Sequence, residues 1–253
     1  MALHIVGIGL ADETDITVKG LELVKKSDLV YLESYTSLLA VASTKLEQFY
    51  GKKIILADRK TVEMDAEEKL LNPAKTKDVA LLVIGDTLSA TTHLDLLTRA
   101  KEMGIKTSVV HNASVLTAVG KTGLQLYKFG KTASIPFTHQ DYEPETPYNI
   151  LEENASIGAH TLFLLDLRPD ENRFMTVADA IRYLQKLEIR KGKGLVKDST
   201  MMVGCARLGS ASELIVAGKA KELLKKDFGT PVHCLIIPGK LHFVEEDSLK
   251  SLQ

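Results

Sequence analysis

The stretch Val79-Ala80-Leu81-Leu82-Val83-Ile84-Gly85-Asp86-Thr87-Leu88-Ser89-Ala90-Thr91-Thr92-His93 decides the reading of this chain. Its first six residues carry no polar group on either face, the pattern of a central parallel strand covered by helices on both sides. Such strands turn their carboxyl ends toward ligands. Gly85 lets a ligand approach the backbone, and Asp86 sets a carboxylate at the mouth. Thr91 or Thr92 can then cap a helix that starts near His93, because Leu94, Leu97 and Ala100 follow at helical spacing.

Working outward, short apolar strands at 3–6, 28–32, 53–56, 79–84 and 107–110 alternate with helical patterns at 18–25, 38–49, 64–74 and 94–103. Asp15 or Thr17 caps the first helix, and Gly51 and Gly104 end the second and fourth. This alternation predicts a parallel sheet with crossover helices. Beyond Asn112-Ala113-Ser114 the rhythm changes: a short helix from Val115 meets Gly120 and Gly123. Strands follow at 133–136, 161–165, 200–206, 213–217 and 232–237, with helices at 148–156, 177–187, 219–225 and 245–249. The strands flanking Gly209-Ser210 are close enough to pair antiparallel, which makes this second sheet mixed. The expected fold class is therefore α/β in two domains. Residues 1–112 form an N-terminal parallel sheet with flanking helices, and residues 113–253 a C-terminal α/β domain with a mixed sheet. Loops are expected at 138–146, rich in Asp, Glu and Pro, and at 190–197, rich in Lys and Gly.

Composition narrows the function. The chain has 253 residues, 45% hydrophobic and 26% charged, with a formal net charge of -1, so no global attraction draws it to nucleic acid or to an anionic membrane. No secretory leader pattern opens it, and no run of apolar residues is long enough to span a bilayer. Cys205 and Cys234 sit inside apolar runs, as reduced buried thiols of a cytoplasmic protein do. The seven histidines show no paired spacing of a zinc site, so no metal is expected. Gly7-Ile8-Gly9-Leu10-Ala11-Asp12 follows the first strand, but aspartate stands where a dinucleotide fingerprint needs its third glycine. Neither a Gly-x-Ser-x-Gly elbow nor a Walker sequence occurs, so hydrolase and phosphoryl-transfer readings lack residues.

The segment from Gly85 to His93 resembles the cofactor-cleft motif of diphthine synthases, a branch of the tetrapyrrole-methylase-like methyltransferases. Further blocks agree in order along the chain: Gly7-Ile8-Gly9-Leu10, Asp15-Ile16-Thr17-Val18-Lys19-Gly20-Leu21-Glu22, Tyr35-Thr36-Ser37, His111-Asn112-Ala113-Ser114-Val115, Gly123-Leu124-Gln125-Leu126-Tyr127-Lys128-Phe129-Gly130-Lys131, and Ile237-Pro238-Gly239-Lys240-Leu241-His242-Phe243. One departure is Thr87, where the family often places proline.

The resemblance implies a two-domain methyltransferase with S-adenosylmethionine in the cleft between the domains, S-adenosylhomocysteine as product, and a homodimer. It implies cofactor contacts at Leu10, Asp86, Ser89, Ser114, Val115, Leu165, Leu208 and His233. The implied reaction, in diphthamide biosynthesis, methylates the amino group of the 3-amino-3-carboxypropyl arm on a modified histidine of translation elongation factor 2. Chain length favours the archaeal type, which adds three methyl groups. Methyl transfer from a sulfonium needs little beyond alignment, so no triad is expected, and water or a carboxylate such as Asp86 takes the amine proton. Tetrapyrrole methylation is a sister reading, disfavoured because those relatives tend to show Gly-Pro-Gly-Asp where this chain has Gly9-Leu10-Ala11-Asp12. A cofactor-binding module without turnover and a nicotinamide oxidoreductase are the readings from other classes. His93 and His111 face the expected cleft and are candidates to touch substrate. Arg190-Lys191-Gly192-Lys193-Gly194 with Lys197 reads either as a solvated loop or as a mobile arm for a macromolecular substrate.

Overall fold

The computed structural model describes residues 1–138 and 143–253. The chain divides into two compact units: Met1–Ala118 with Gly209–Ala211, and Val119–Leu208 with Ser212–Gln253. Residues 139–142 of the loop expected at 138–146, His139 among them, lie outside the described residues.

The first unit runs β1 (Ala2–Gly7), α1 (Val18–Lys26), β2 (Leu29–Glu33), α2 (Ser43–Tyr50), β3 (Ile55–Ala57), α3 (Asn72–Ala74), β4 (Asp78–Val83), α4 (Leu94–Glu102), β5 (Thr107–Val110) and α5 (Val115–Ala118). Its strands form a parallel sheet in the order β3-β2-β4-β1-β5. The centre of that sheet is as apolar as its sequence, with every residue from Val79 to Val83 fully buried. Successive residues feed opposite faces. Ile5 and Leu81 join a core with Leu70 and Leu96, while Val6 and Leu82 join one with Val24, Leu46 and Tyr50. Both faces are thus covered, and the carboxyl ends are where the sheet meets loops.

Local chemistry fixes the ends of these elements. Thr17 caps α1, its hydroxyl accepting from the Gly20 amide at 3.0 Å, while Asp15 is engaged elsewhere. Gly51 closes α2 in the left-handed conformation at φ 67°. Two expectations need correction. The helix expected at 64–74 is made of two π-helical turns, Lys60–Met64 and Glu67–Leu71, followed by the short α3. Wider turns still hold Val62, Ala66, Leu70, Leu71 and Ala74 on the core. Neither threonine caps α4: His93 occupies the cap position with helical dihedrals, and the Thr91 hydroxyl donates to the Thr87 carbonyl at 3.0 Å. A side-chain cap needs an extended residue, which this tight turn does not provide.

The second unit runs β6 (Ala133–Ile135), α6 (Thr146–Ser156), β7 (Thr161–Leu165), β8 (Leu167–Arg168), β9 (Arg173–Phe174), α7 (Val177–Lys191), β10 (Met201–Ala206), β11 (Leu214–Lys219), α8 (Ala220–Leu223), β12 (His233–Ile237) and α9 (Phe243–Lys250). The main sheet has the order β11-β10-β12-β7-β6, with β6 parallel to β7 and the other pairs antiparallel. It is the expected mixed sheet, and the β10–β11 hairpin turns at Gly209-Ser210. The β8–β9 ribbon is unexpected, its two-residue strands being too short to leave an alternating pattern. Cys205 and Cys234 face each other across β10 and β12 as free, buried thiols.

Candidate functional site

At the carboxyl ends of β1, β4 and β5 the chain ties three loops together. Gly9 and Gly85 exchange backbone hydrogen bonds, Gly85 N donating to Gly9 O at 2.7 Å and Gly9 N to Gly85 O at 3.3 Å. Gly85 sits at φ 83°, a conformation side chains resist, although a Cβ there would stay 3.7 Å from Ala113 O and Leu10 Cδ2. Valine at this position would therefore strain the backbone whether or not it obstructs a ligand. Gly9, at φ 81°, has no such room, because a Cβ would run into the Asp15 side chain. That carboxylate accepts from the amides of Leu10 at 3.0 Å and Ala11 at 2.8 Å, so it holds the turn. The Leu10 amide is thereby committed, and only its carbonyl and side chain are left to meet a ligand. Asn112 completes the clamp, donating from Nδ2 to Gly7 O at 3.0 Å and Asp15 O at 2.9 Å.

Asp86 is the centre of the rim. One carboxylate oxygen accepts from the Leu88 amide at 3.0 Å and the Ser89 hydroxyl at 2.9 Å. The other accepts from His111 Nδ1 at 2.8 Å and the Asn112 amide at 3.1 Å. Burial pushes its pKa up, but the hydrogen bonds from Leu88, His111, Asn112 and Ser89 prevail and hold it down at about 2. A carboxylate so placed is a weak proton acceptor at neutral pH, and its visible work is to join the loop after β4 to the one after β5. Ser89 belongs to this network through its hydroxyl. Ser114 opens α5: its hydroxyl accepts from the Leu116 amide at 3.1 Å and its carbonyl accepts from Ala118 at 2.8 Å, with Val115 the first helical residue.

Beside the rim, Glu33 is wholly buried at the end of β2, where it accepts from the Tyr35 and Thr36 amides at 2.9 and 2.6 Å and from the Thr36 hydroxyl at 2.6 Å. Tyr35-Thr36-Ser37 was legible as a block, but the carboxylate that shapes it was not, since a lone Glu at a strand end reads as solvent-facing. Thr87 and His93 are buried next to each other, and the Thr87 carbonyl accepts from His93 Nδ1 at 3.2 Å. The Tyr35 hydroxyl, Thr87 Oγ1 and His93 Nε2 are buried without hydrogen-bond partners. His111, by contrast, leaves its ring largely in solvent while its Nδ1 serves Asp86.

In the second unit, Leu165 ends β7, Leu208 follows β10 and His233 begins β12, each 8% exposed. His233 Nε2 donates to Thr230 O at 3.1 Å, which leaves Nδ1 as a buried acceptor with no partner. Burial pushes this imidazole's pKa down, so the ring is neutral. The basic segment is not a free arm. Arg190 and Lys191 complete α7, and Glu188 accepts from the amides of Gly194, Leu195 and Val196 at 2.5 to 2.8 Å, pinning the turn beyond it. Lys191 pairs with Glu145 at 2.5 Å and Lys193 with Glu152 at 2.9 Å, so much of its charge is neutralised. Among the described residues, no His, Cys, Asp and Glu group is arranged to hold a metal, and no helix is long and apolar enough to cross a membrane.

A parallel sheet whose glycine-rich turns and capped loops gather at its carboxyl edge, joined in one chain to a mixed sheet, is the architecture of one family of methyltransferases. The model for Tetrapyrrole (Corrin/Porphyrin) Methylases matches residues 2–224, and the chain belongs to that family and, within it, to the diphthine synthases. It is accordingly a methyltransferase. A diphthine synthase of Methanocaldococcus jannaschii is 50% identical, over 99% of this chain and 98% of its own. A diphthine methyl ester synthase of Aspergillus fumigatus is 45% identical, over 96% of this chain and 90% of its own. A solved structure titled as a diphthine synthase superposes with a TM-score of 0.88 at 39% identity, covering 99% of this chain and 95% of the other.

Proposed function

We propose that the chain acts as a diphthine synthase. It transfers methyl groups from S-adenosylmethionine to the amino group of the 3-amino-3-carboxypropyl-histidine intermediate on translation elongation factor 2, three in succession. The observation that carries this reading is the 50% identity to a diphthine synthase along essentially the full length of both chains. When bound, S-adenosylmethionine supplies a sulfonium methyl whose departure leaves a neutral thioether. The rim after β4 suits that cofactor: it is a preformed turn of glycine backbone with its loops already fixed.

In this reading Asp86 meets the cofactor with a carboxylate whose orientation is set in advance, Ser89 reinforces it, and Leu10 contributes its carbonyl and side chain. Ser114 and Val115 offer the start of a short helix. Leu165, Leu208 and His233 are assigned by family resemblance, and the orphaned Nδ1 of His233 is an acceptor of the kind an adenine amine satisfies. Alignment of amine and methyl is worth on the order of 7–11 kcal/mol of the barrier, so these positioning contacts suffice without a nucleophile. The acceptor amine must shed a proton before each attack. Asp86, held at about 2, is a poor recipient, which leaves that role to solvent.

We further propose a homodimer, with elongation factor 2 as the one macromolecular substrate and no nucleic-acid or membrane partner. A cytoplasmic setting fits the two facing but unbridged thiols. Release of S-adenosylhomocysteine on mixing the protein with S-adenosylmethionine and the arm-bearing factor tests the proposal. Release that is independent of the factor, or none at all, contradicts it.

A further inference from the structure

Three buried polar atoms without partners gather at the carboxyl edge of the neighbouring strands β2 and β4. They are the Tyr35 hydroxyl, Thr87 Oγ1 and His93 Nε2, on residues 8%, 0% and 1% exposed. Contacts tie them together. His93 donates to the Thr87 carbonyl, and the Tyr35 hydroxyl is within weak hydrogen-bonding reach of the side chain of Thr92, which precedes His93, at a geometry that leaves it without a full partner. The Arg59 guanidinium stands over the Tyr35 ring at 5.2 Å. A buried polar group left unpaired is destabilising, and one alone in a native structure already calls for an explanation. Glu13 Oε2 and the Tyr50 hydroxyl are also partnerless in this unit, but the three in these adjoining turns lie together, and together they point to a guest that the folded chain is built to receive.

Resting on the function proposed above, we infer that Tyr35, Thr87 and His93 form the socket for the amino-acid head of the methyl acceptor. The chemistry matches on both sides. With Nδ1 engaged by the Thr87 carbonyl, Nε2 is the ring nitrogen of His93 left to meet the head group. The two hydroxyls both donate and accept, so they serve a carboxylate as readily as an amine. The socket binds the acceptor by hydrogen bonds and takes no part in bond making. A head group that places its amine against His93 holds that nitrogen at the edge of the rim turn, beginning at Gly85, to which the cofactor is assigned.

The test uses Tyr35→Phe, Thr87→Val and His93→Asn in the full-length protein. Asparagine keeps a donor toward the Thr87 carbonyl and deletes the Nε2 acceptor. Each variant is expected to lower kcat/KM for the arm-bearing factor by about tenfold or more, the cost of one lost hydrogen bond to a charged group, with affinity for S-adenosylhomocysteine unchanged. Tyr35→Phe and Thr87→Val, which remove unsatisfied groups, are also expected to raise Tm. Variants that are more stable yet methylate the factor like the wild type overturn the inference, and show that the atoms merely enclose water. Wild-type protein that fails to methylate the factor overturns the functional reading, and the inference with it. A variant that loses S-adenosylhomocysteine binding along with turnover also overturns it, by assigning these groups to the cofactor.

Discussion

Two buried carboxylates invite comparison, Asp86 in the first unit and Glu245 in the second. Glu245 is wholly buried at the start of α9, and it accepts from the amides of Gln125 and His242, from His160 Nε2 and from the Lys128 ammonium. His160 in turn accepts from the Gly239 amide at Nδ1, which fixes its tautomer, and burial keeps its pKa low, so the ring is neutral. Burial pushes the Glu245 pKa up, yet Lys128, the Gln125 and His242 amides and His160 hold it at about 2, as the rim contacts do for Asp86. The surroundings differ. Lys128 and His242 also line a groove of about 480 Å³, but none of the partnerless buried side-chain atoms among the described residues belongs to the residues lining it. Around Asp86 the neighbours include three such atoms, on Tyr35, Thr87 and His93. A polar network that closes on itself builds structure, whereas one bordered by open hydrogen-bonding groups is waiting for a ligand.

The largest effect that separates the two regions is on stability. Glu245→Ala strands the Lys128 charge and three further donors, and is expected to cost about 3–5 kcal/mol in urea unfolding, with S-adenosylhomocysteine affinity retained in the folded fraction. Both carboxylates also predict an acid transition with a definite sign. Each has a folded pKa below its unfolded one, so its contribution is complete above the ordinary value, 4.5 for Glu245, and is lost as pH falls toward about 2. Stability measured across that window should fall less steeply in Glu245→Gln than in the wild type, and an unchanged slope would mean that the network does not depend on charge.

Asp86→Asn comes next. An amide cannot accept four hydrogen bonds, so calorimetry should show S-adenosylhomocysteine affinity falling by roughly ten- to a hundredfold. The Asp12 side chain accepts from Thr14, two residues on, and Asp12→Ala should leave affinity within about twofold. Equal losses would move the pocket away from the rim. The smallest effect belongs to Lys191→Ala with Lys193→Ala. Ion pairs at the surface add little to stability, so unfolding should be nearly unchanged, and KM for the factor should not change. A raised KM would restore the basic segment as a docking arm.

Much of the framework was legible because period and burial agree. The unbroken apolar run of β4, the left-handed glycine after α2 and the tight turn between β10 and β11 all announce themselves in one dimension. What escaped did so for physical reasons. The π-helical turns at 60–71 share their apolar spacing with an ordinary helix, and the β8–β9 strands are shorter than any periodicity. Choosing between Asp15 and Thr17 as a cap depends on what else competes for each side chain, and Asp15 is drawn to the Leu10 and Ala11 amides. At the site, Asp86 stood out because it ends an apolar strand. Glu33 also ends an apolar strand but has no glycine turn to mark it, and Glu245 lies in a polar segment, so only the folded chain reveals that either charge is buried.

If the rim serves methyl transfer to an amine on a protein, the acceptor must gain mass in methyl steps. Intact mass analysis of elongation factor 2 bearing the 3-amino-3-carboxypropyl arm, after incubation with the protein and S-adenosylmethionine, tests it most directly. The expected result is a gain of three methyl groups on the modified histidine, none on a factor lacking the arm, and a sharply reduced gain with Asp86→Asn at limiting cofactor. A factor whose mass does not change, or one methylated equally well without the arm, would contradict it.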